Sequence, residues 1–249
     1  MGEHLDIATT DGTAEAYLAR PGDGPHPGVL LFVDAIGLRP QIEAMADRIA
    51  SWGYAVLAPH VFYRDGSAAE LAPAGSLLET EAREAFFAGG VMDRVGALTP
   101  QRSDPDTEAY LDTLLQHATG PVGVTGYCMG ARLAVRAAGL RPDDVAAVGG
   151  FHGGHLVTDA PDSPHLAVAG ARAEFVFGHA DQDGSMPPEQ VAALAAALDE
   201  AGLAHREAIY PGAPHGYTMA DTSAYDEAGA ERHFAELREV LDRVVQTGA

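Results

Sequence analysis

The segment Val122-Gly123-Val124-Thr125-Gly126-Tyr127-Cys128-Met129-Gly130-Ala131-Arg132-Leu133-Ala134 decides how the rest of the chain is read. Its first half is rich in β-branched residues (Val122, Val124, Thr125) and reads as a buried strand. A helical pattern begins at Ala131. Between the two, Cys128 stands at the apex of a sharp strand-to-helix turn, with Gly126 and Gly130 on either side. So tight a turn strains the backbone of its apex residue. It also brings strand and helix so close that a Cβ at either glycine would clash. Such elbows usually carry serine; this one carries a thiol. A free cysteine is most often a small buried hydrophobe, so the functional reading depends on what surrounds the turn.

Upstream, Gly28–Val33 (GVLLFV) is an unbroken apolar run of the kind buried on both faces of a sheet, and it ends at Asp34-Ala35-Ile36-Gly37. Helical spacing from Gln41 to Ser51 leads to a strand at Tyr54–Ala58. Before them, His4–Thr9 and Ala14–Ala19 alternate around Asp11-Gly12, a hairpin signal. The stretch His60–Pro105 is irregular, with helical patterns at Leu77–Ala88 and Gly90–Leu98, and is expected to lie over the sheet. A helix is expected from Pro105 to His117. Downstream come strands at Val145–Phe151, Ala173–Phe177 and His205–Tyr210, a helix from Pro187 to Ala201 and a last helix from Ala224 to Val244. Strands alternating with helices imply one α/β domain over residues 1–249: a mostly parallel, doubly wound sheet with helices on both faces. Ligands bind beyond the carboxyl ends of such strands, where Asp34, Cys128, His152, Asp183 and His215 all fall.

Composition narrows the chemistry. The net charge is −21, from 15 basic and 36 acidic residues, and opposes binding to nucleic acid and to anionic membrane surfaces. Every basic residue is arginine, so a lysine Schiff base and a P-loop are excluded. A single cysteine excludes an internal disulfide and any zinc site needing two thiolates. The first residues show no basic run followed by an apolar one, and no apolar stretch is long enough to span a bilayer. A cytoplasmic protein is expected, a monomer or homodimer without cofactor or metal.

A thiol nucleophile needs a base, and a histidine base needs a third group to hold its tautomer. The chain supplies them in the order Cys128, then Asp181 or Asp183, then His215, which is the order of the α/β-hydrolase fold. The backbone N–H groups of Met129 and Ala35 are the expected oxyanion donors. A rival reading gathers His152, His155, His165, His179, Asp181 and Asp183 around a metal. Its weakness is that His152-Gly153-Gly154-His155 lies in a glycine-rich loop that does not fix ligand geometry. A second rival, a non-catalytic binding protein on a hydrolase scaffold, would lack a triad member, and none is lacking.

Gly126-Tyr127-Cys128-Met129-Gly130, Asp183-Gly184-Ser185-Met186-Pro187 and Tyr210-Pro211-Gly212-Ala213-Pro214-His215-Gly216 resemble the nucleophile, acid and histidine motifs of the dienelactone hydrolases (carboxymethylenebutenolidases), and Phe151-His152-Gly153-Gly154 fits the same pattern. The resemblance runs over nearly the whole length. It favours Asp183 over Asp181 and implies hydrolysis of a small ester or enol-lactone through an acyl-thioester. In that family a Glu after the early strand holds the resting thiol; Asp34 matches it, one methylene shorter. Members acting on dienelactone bind its carboxylate with arginines, one shortly after the histidine, where this chain has Tyr217-Thr218-Met219. That departure points to a neutral or weakly acidic ester, with His152, Tyr217 and Arg83 as candidate substrate contacts.

Overall fold

A computed structural model describes residues 2–245. Strands β1 (Glu3–Thr9) and β2 (Gly12–Ala19) form the expected antiparallel hairpin. Strand β3 (Pro27–Phe32) is the apolar run, buried from Gly28 onward. Helix α1 (Pro40–Ala50) turns Ile42, Met45 and Ile49 inward, and β4 (Ala55–Pro59) is buried throughout. The irregular stretch holds three short helices: α2 (Ala68–Leu71), α3 (Thr80–Phe86) and α4 (Met92–Ala97), the last two joined by a π-helical turn kinked at Gly89 and Gly90. Then follow α5 (Pro100–His117), β5 (Thr119–Tyr127), α6 (Gly130–Leu140), β6 (Val145–Phe151), a 3₁₀ segment at Pro164–Gly170, β7 (Glu174–Ala180), α7 (Pro188–Glu200), β8 (His205–Tyr210) and α8 (Glu227–Val244).

The eight strands lie in the order β1-β2-β4-β3-β5-β6-β7-β8, parallel from β4 to β8 with the antiparallel hairpin at one edge. Both faces are covered. Gly149 and Gly150 are neighbours in β6 and so point to opposite faces; their Cβ positions meet Leu237 of α8 and Ala131 of α6 respectively. Helix α1 joins α8 on its face, where Trp52 meets Phe234 edge-on. This is the α/β-hydrolase fold, read from the sequence and present here.

Several element boundaries differ from the sequence reading, among them two helix starts and the end of β7, which runs on to Ala180. Helix α5 starts at Pro100, and Pro105 lies inside it. The turn before Pro105 is held from outside, with Ser103 buried and Asp104 paired to Arg136 of α6, and tertiary contact outweighs the local break. Helix α8 starts at Glu227, capped by the Asp226 side chain, three residues later than expected. No helix among the described residues is long and apolar enough to cross a membrane.

Candidate active site

The elbow forms because both flanking positions are glycine. A Cβ on Gly126 would lie 2.1 Å from the Gly130 carbonyl oxygen, and one on Gly130 would lie 2.4 Å from the carbonyl of Val33. Cys128 takes φ of 55°, a left-handed conformation costly for a residue with a side chain. It is held there by its N–H donating to Phe151 O at 3.1 Å and its carbonyl accepting from Ala131 N at 3.3 Å. The thiol is thereby lifted to the rim, partly exposed.

His215 comes back over it on the loop after β8. Its Nε2 lies 3.1 Å from Cys128 Sγ and its Nδ1 2.6 Å from Asp183 Oδ2. The other carboxylate oxygen of Asp183 accepts from the N–H and hydroxyl of Ser185, at 2.9 and 2.7 Å. Asp181, the alternative acid, accepts instead from Gly212 N at 2.9 Å and braces the histidine loop. Burial works against charge on His215, but the charge of Cys128 and the bond and charge of Asp183 outweigh it, and its pKa is pushed up to about 10. Burial likewise disfavours the Asp183 carboxylate, yet His215 and Ser185 pull its pKa down to about 2. The imidazolium is therefore the form favoured at neutral pH.

Met129 and Ala35 both line the cavity beside the thiol, and Met129 is the N-cap of α6. Among the described residues neither backbone N–H is taken by another group. Arg94 pins the second of these loops by donating to the carbonyls of Ala35 and Ile36 at 2.9 and 3.1 Å.

Three expected contacts fall elsewhere. Asp34 is turned away from a role at the thiol: Arg39 grips both its oxygens, at 2.7 and 3.1 Å, and Ile36 N donates to it at 3.0 Å. The same guanidinium holds Asp221 at 2.6 and 3.1 Å, tying the loop after β3 to the loop that follows His215. Arg39 and Asp34 are each only 5% exposed, so Arg39→Met leaves a buried carboxylate uncompensated. That variant is expected to lose about 3–5 kcal/mol, read as an earlier urea midpoint. His152 and Tyr217 do not line the cavity; both are fully buried, His152 against the His215 ring at a centroid distance of 5.3 Å and Tyr217 against His152 at 5.0 Å. Burial, with His215 and His233 nearby, keeps His152 well below the usual imidazole range. Neutral and bonded to Thr218 Oγ1 at 2.7 Å, it supports the His215 ring. Nor do the metal candidates converge. His165 bonds Ser163, His179 bonds Glu207, and no group of three His, Cys, Asp or Glu among the described residues is placed to share an ion.

A sequence model of the dienelactone hydrolase family matches residues 14–245. The chain belongs to the dienelactone hydrolase family. A protein of Escherichia coli (strain K12), provisionally assigned as a carboxymethylenebutenolidase, is 28% identical over 238 residues, covering 90% of this chain and 80% of its own. A solved structure from Klebsiella pneumoniae, provisionally assigned as a dienelactone hydrolase, superposes with a TM-score of 0.82 at 20% identity, over 97% of this chain and 98% of that one. The dienelactone hydrolase of Anabaena variabilis gives a TM-score of 0.62 at 22% identity, covering 98% of both chains. At these identities the solved structures speak for the fold alone.

This member of the dienelactone hydrolase family carries two arginines in the wall of its thiol cavity, a space of about 260 Å³. Arg83 of α3 was the sequence candidate; Arg132 of α6 was missed. Most other arginines are held by carboxylates. Arg83 rests over the Phe87 ring at 5.2 Å, and neither it nor Arg132 has a carboxylate partner among the described residues. Glu84 lines the same cavity, so its wall carries one carboxylate beside the two arginines.

Proposed function

We propose that this protein hydrolyses a small ester or enol-lactone, with Cys128 as nucleophile, His215 as proton carrier and Asp183 fixing the imidazole. The observation that carries the reading is the continuous chain Sγ–Nε2 at 3.1 Å and Nδ1–Oδ2 at 2.6 Å, ending beside two unspent backbone N–H groups. Sulfur adds to the substrate carbonyl, and the N–H groups of Met129 and Ala35 receive the oxyanion. The intermediate collapses with cleavage of the C–O bond. His215 Nε2 gives its proton to the departing alkoxide or enolate, leaving an acyl-thioester on Cys128. A water then adds to the thioester, its proton passing to His215, and the acid leaves as the thiolate–imidazolium pair re-forms. Arg83, facing the same cavity, suits a substrate with a carboxylate near the scissile bond.

The test is hydrolysis of p-nitrophenyl acetate, p-nitrophenyl butyrate and a dienelactone by wild type and Cys128→Ala. Turnover by wild type alone supports thiol chemistry, and preference for the dienelactone supports the part given to Arg83. Equal turnover by both proteins would overturn the assignment of Cys128.

Asp183→Asn is expected to lower kcat/KM by roughly 10³–10⁴-fold, because the amide favours the wrong imidazole tautomer. The sign of the pH effect follows from the shift. Asp183 is one of the groups that raise His215 to about 10. Without it the imidazolium is lost at lower pH, so with an alkyl ester, whose leaving group needs a proton, the alkaline limb of kcat/KM moves down. A pH–rate profile of the two proteins checks this.

A further inference from the structure

Arg132 stands in the wall of two cavities. One is the thiol cavity; the other, of about 170 Å³, adjoins it and shares Val95, Met129, Arg132 and His155. In the second cavity the walls are apolar at Leu98, Leu133 and Pro164, with the hydroxyls of Ser103, Thr158 and Ser163 between, and Asp162 is the one carboxylate among the lining residues. Arg136 also reaches it, but Arg136 is neutralised by Asp104 at 2.8 Å. Among the described residues, Arg132 is therefore the arginine of this lobe that no carboxylate holds. It lies in the first turn of α6, directly after the elbow, and lines both cavities. Burial works against its charge, and the charge that opposes that effect is that of Cys128. Arg132 is half-buried; a guanidinium partly removed from water without a carboxylate is costly, and an anion entering the lobe would offset that cost.

The direction of the lobe settles which end of a substrate enters it. The leaving group must meet His215 Nε2 to be protonated. Neither His215 nor Ser185 lines the second cavity, whereas both line the first. The acyl group extends the other way, past Met129.

Resting on the thiol-esterase reading above, we infer that the lobe behind Met129 is an acyl subsite, and that Arg132 selects esters whose acyl chain ends in a carboxylate: half-esters of short dicarboxylic acids. Cleavage breaks the ester C–O bond and moves the acyl group to sulfur. Water then releases the dicarboxylate and returns the thiolate. Arg83 lies in the first cavity only, so the two arginines read charges on opposite sides of the scissile bond.

The experiment compares p-nitrophenyl hemiglutarate with p-nitrophenyl valerate, which match in length and differ in terminal charge. Wild type is expected to favour the hemiglutarate. In Arg132→Gln the ratio of the two kcat/KM values should fall at least about tenfold, chiefly through KM for the anion, and Arg132→Lys should restore part of it. A ratio unchanged by Arg132→Gln overturns the subsite. Because both esters share the nucleophile, any change in thiol reactivity cancels. A second readout does not need turnover: calorimetric binding of glutarate to Cys128→Ala, expected to weaken at least about tenfold when Arg132→Gln is added. If wild type cleaves neither ester while glutarate binding depends on Arg132, the hydrolase reading falls and the anion subsite stands. If both esters are cleaved and neither the ratio nor glutarate binding responds to Arg132, the subsite falls and the hydrolase reading stands.

Discussion

Cys128→Ala is expected to lower kcat/KM for any substrate of this protein by about 10⁴-fold or more, leaving only the turnover that binding and oxyanion stabilisation provide. No substitute nucleophile is at hand. The chain has no second cysteine, and the hydroxyl of Ser185, nearest to the reactive histidine, is committed to Asp183 at 2.7 Å. The structural consequence should be small, since alanine fits the space and the backbone bonds of residue 128 to Phe151 and Ala131 remain. The variant should therefore melt near wild type while losing activity, which separates chemistry from folding. It should also change His215. With the charge of Cys128 gone, one of the causes that hold the imidazole up at about 10 is removed, and its titration by NMR should move downward while Asp183 keeps it above the ordinary value.

The second large effect is on the fold. Gly130→Ala places a methyl group 2.4 Å from the Val33 carbonyl oxygen and 2.7 Å from that of Phe32. Both are backbone atoms at the end of the central strand β3, so no side chain can rotate out of the way. Helix α6 must lift off the sheet, taking the Met129 N–H with it. A cost of about 3 kcal/mol or more is expected, seen as a fall in Tm on the order of 10 °C, together with loss of activity. Gly184→Ala is the control: its Cβ meets nothing within 4 Å, although it sits beside Asp183. It should shift stability by less than about 0.5 kcal/mol. Equal losses in the two variants would contradict the view that packing at the elbow, rather than chain flexibility, requires glycine.

The elbow was legible because steric necessity writes itself into local sequence. A turn this tight needs small residues at fixed offsets, and Gly126 and Gly130 are at those offsets. Alternation of apolar runs and helical spacing made the sheet legible for the same reason. What was not legible depends on partners distant in sequence. Asp34 looks like a free strand-end carboxylate until Arg39 and Asp221 close on one another 182 positions apart. His152 precedes a glycine and Tyr217 follows one, and both read as rim residues, yet both are fully buried. Asp181 and Asp183 differ by two positions, and only the curl of the loop sends one to His215 and the other to Gly212. Arg132 carried a signal that went unused: it falls in the first turn of the helix that follows the Cys128 elbow, close to the rim. On an amphipathic helix an arginine reads as solvent-facing, and only the cavity shows where it stands.

The most direct test of the account is the mass of the protein quenched in acid within milliseconds of mixing with an activated aryl ester. The account predicts that protein mass rises by the acyl group. After trypsin, which here cuts only at arginine, the added mass should lie on the peptide spanning residues 103–132, and hydroxylamine should remove it. Steady turnover with no acyl-protein, or an acyl group on any other peptide, would contradict the thioester route through Cys128.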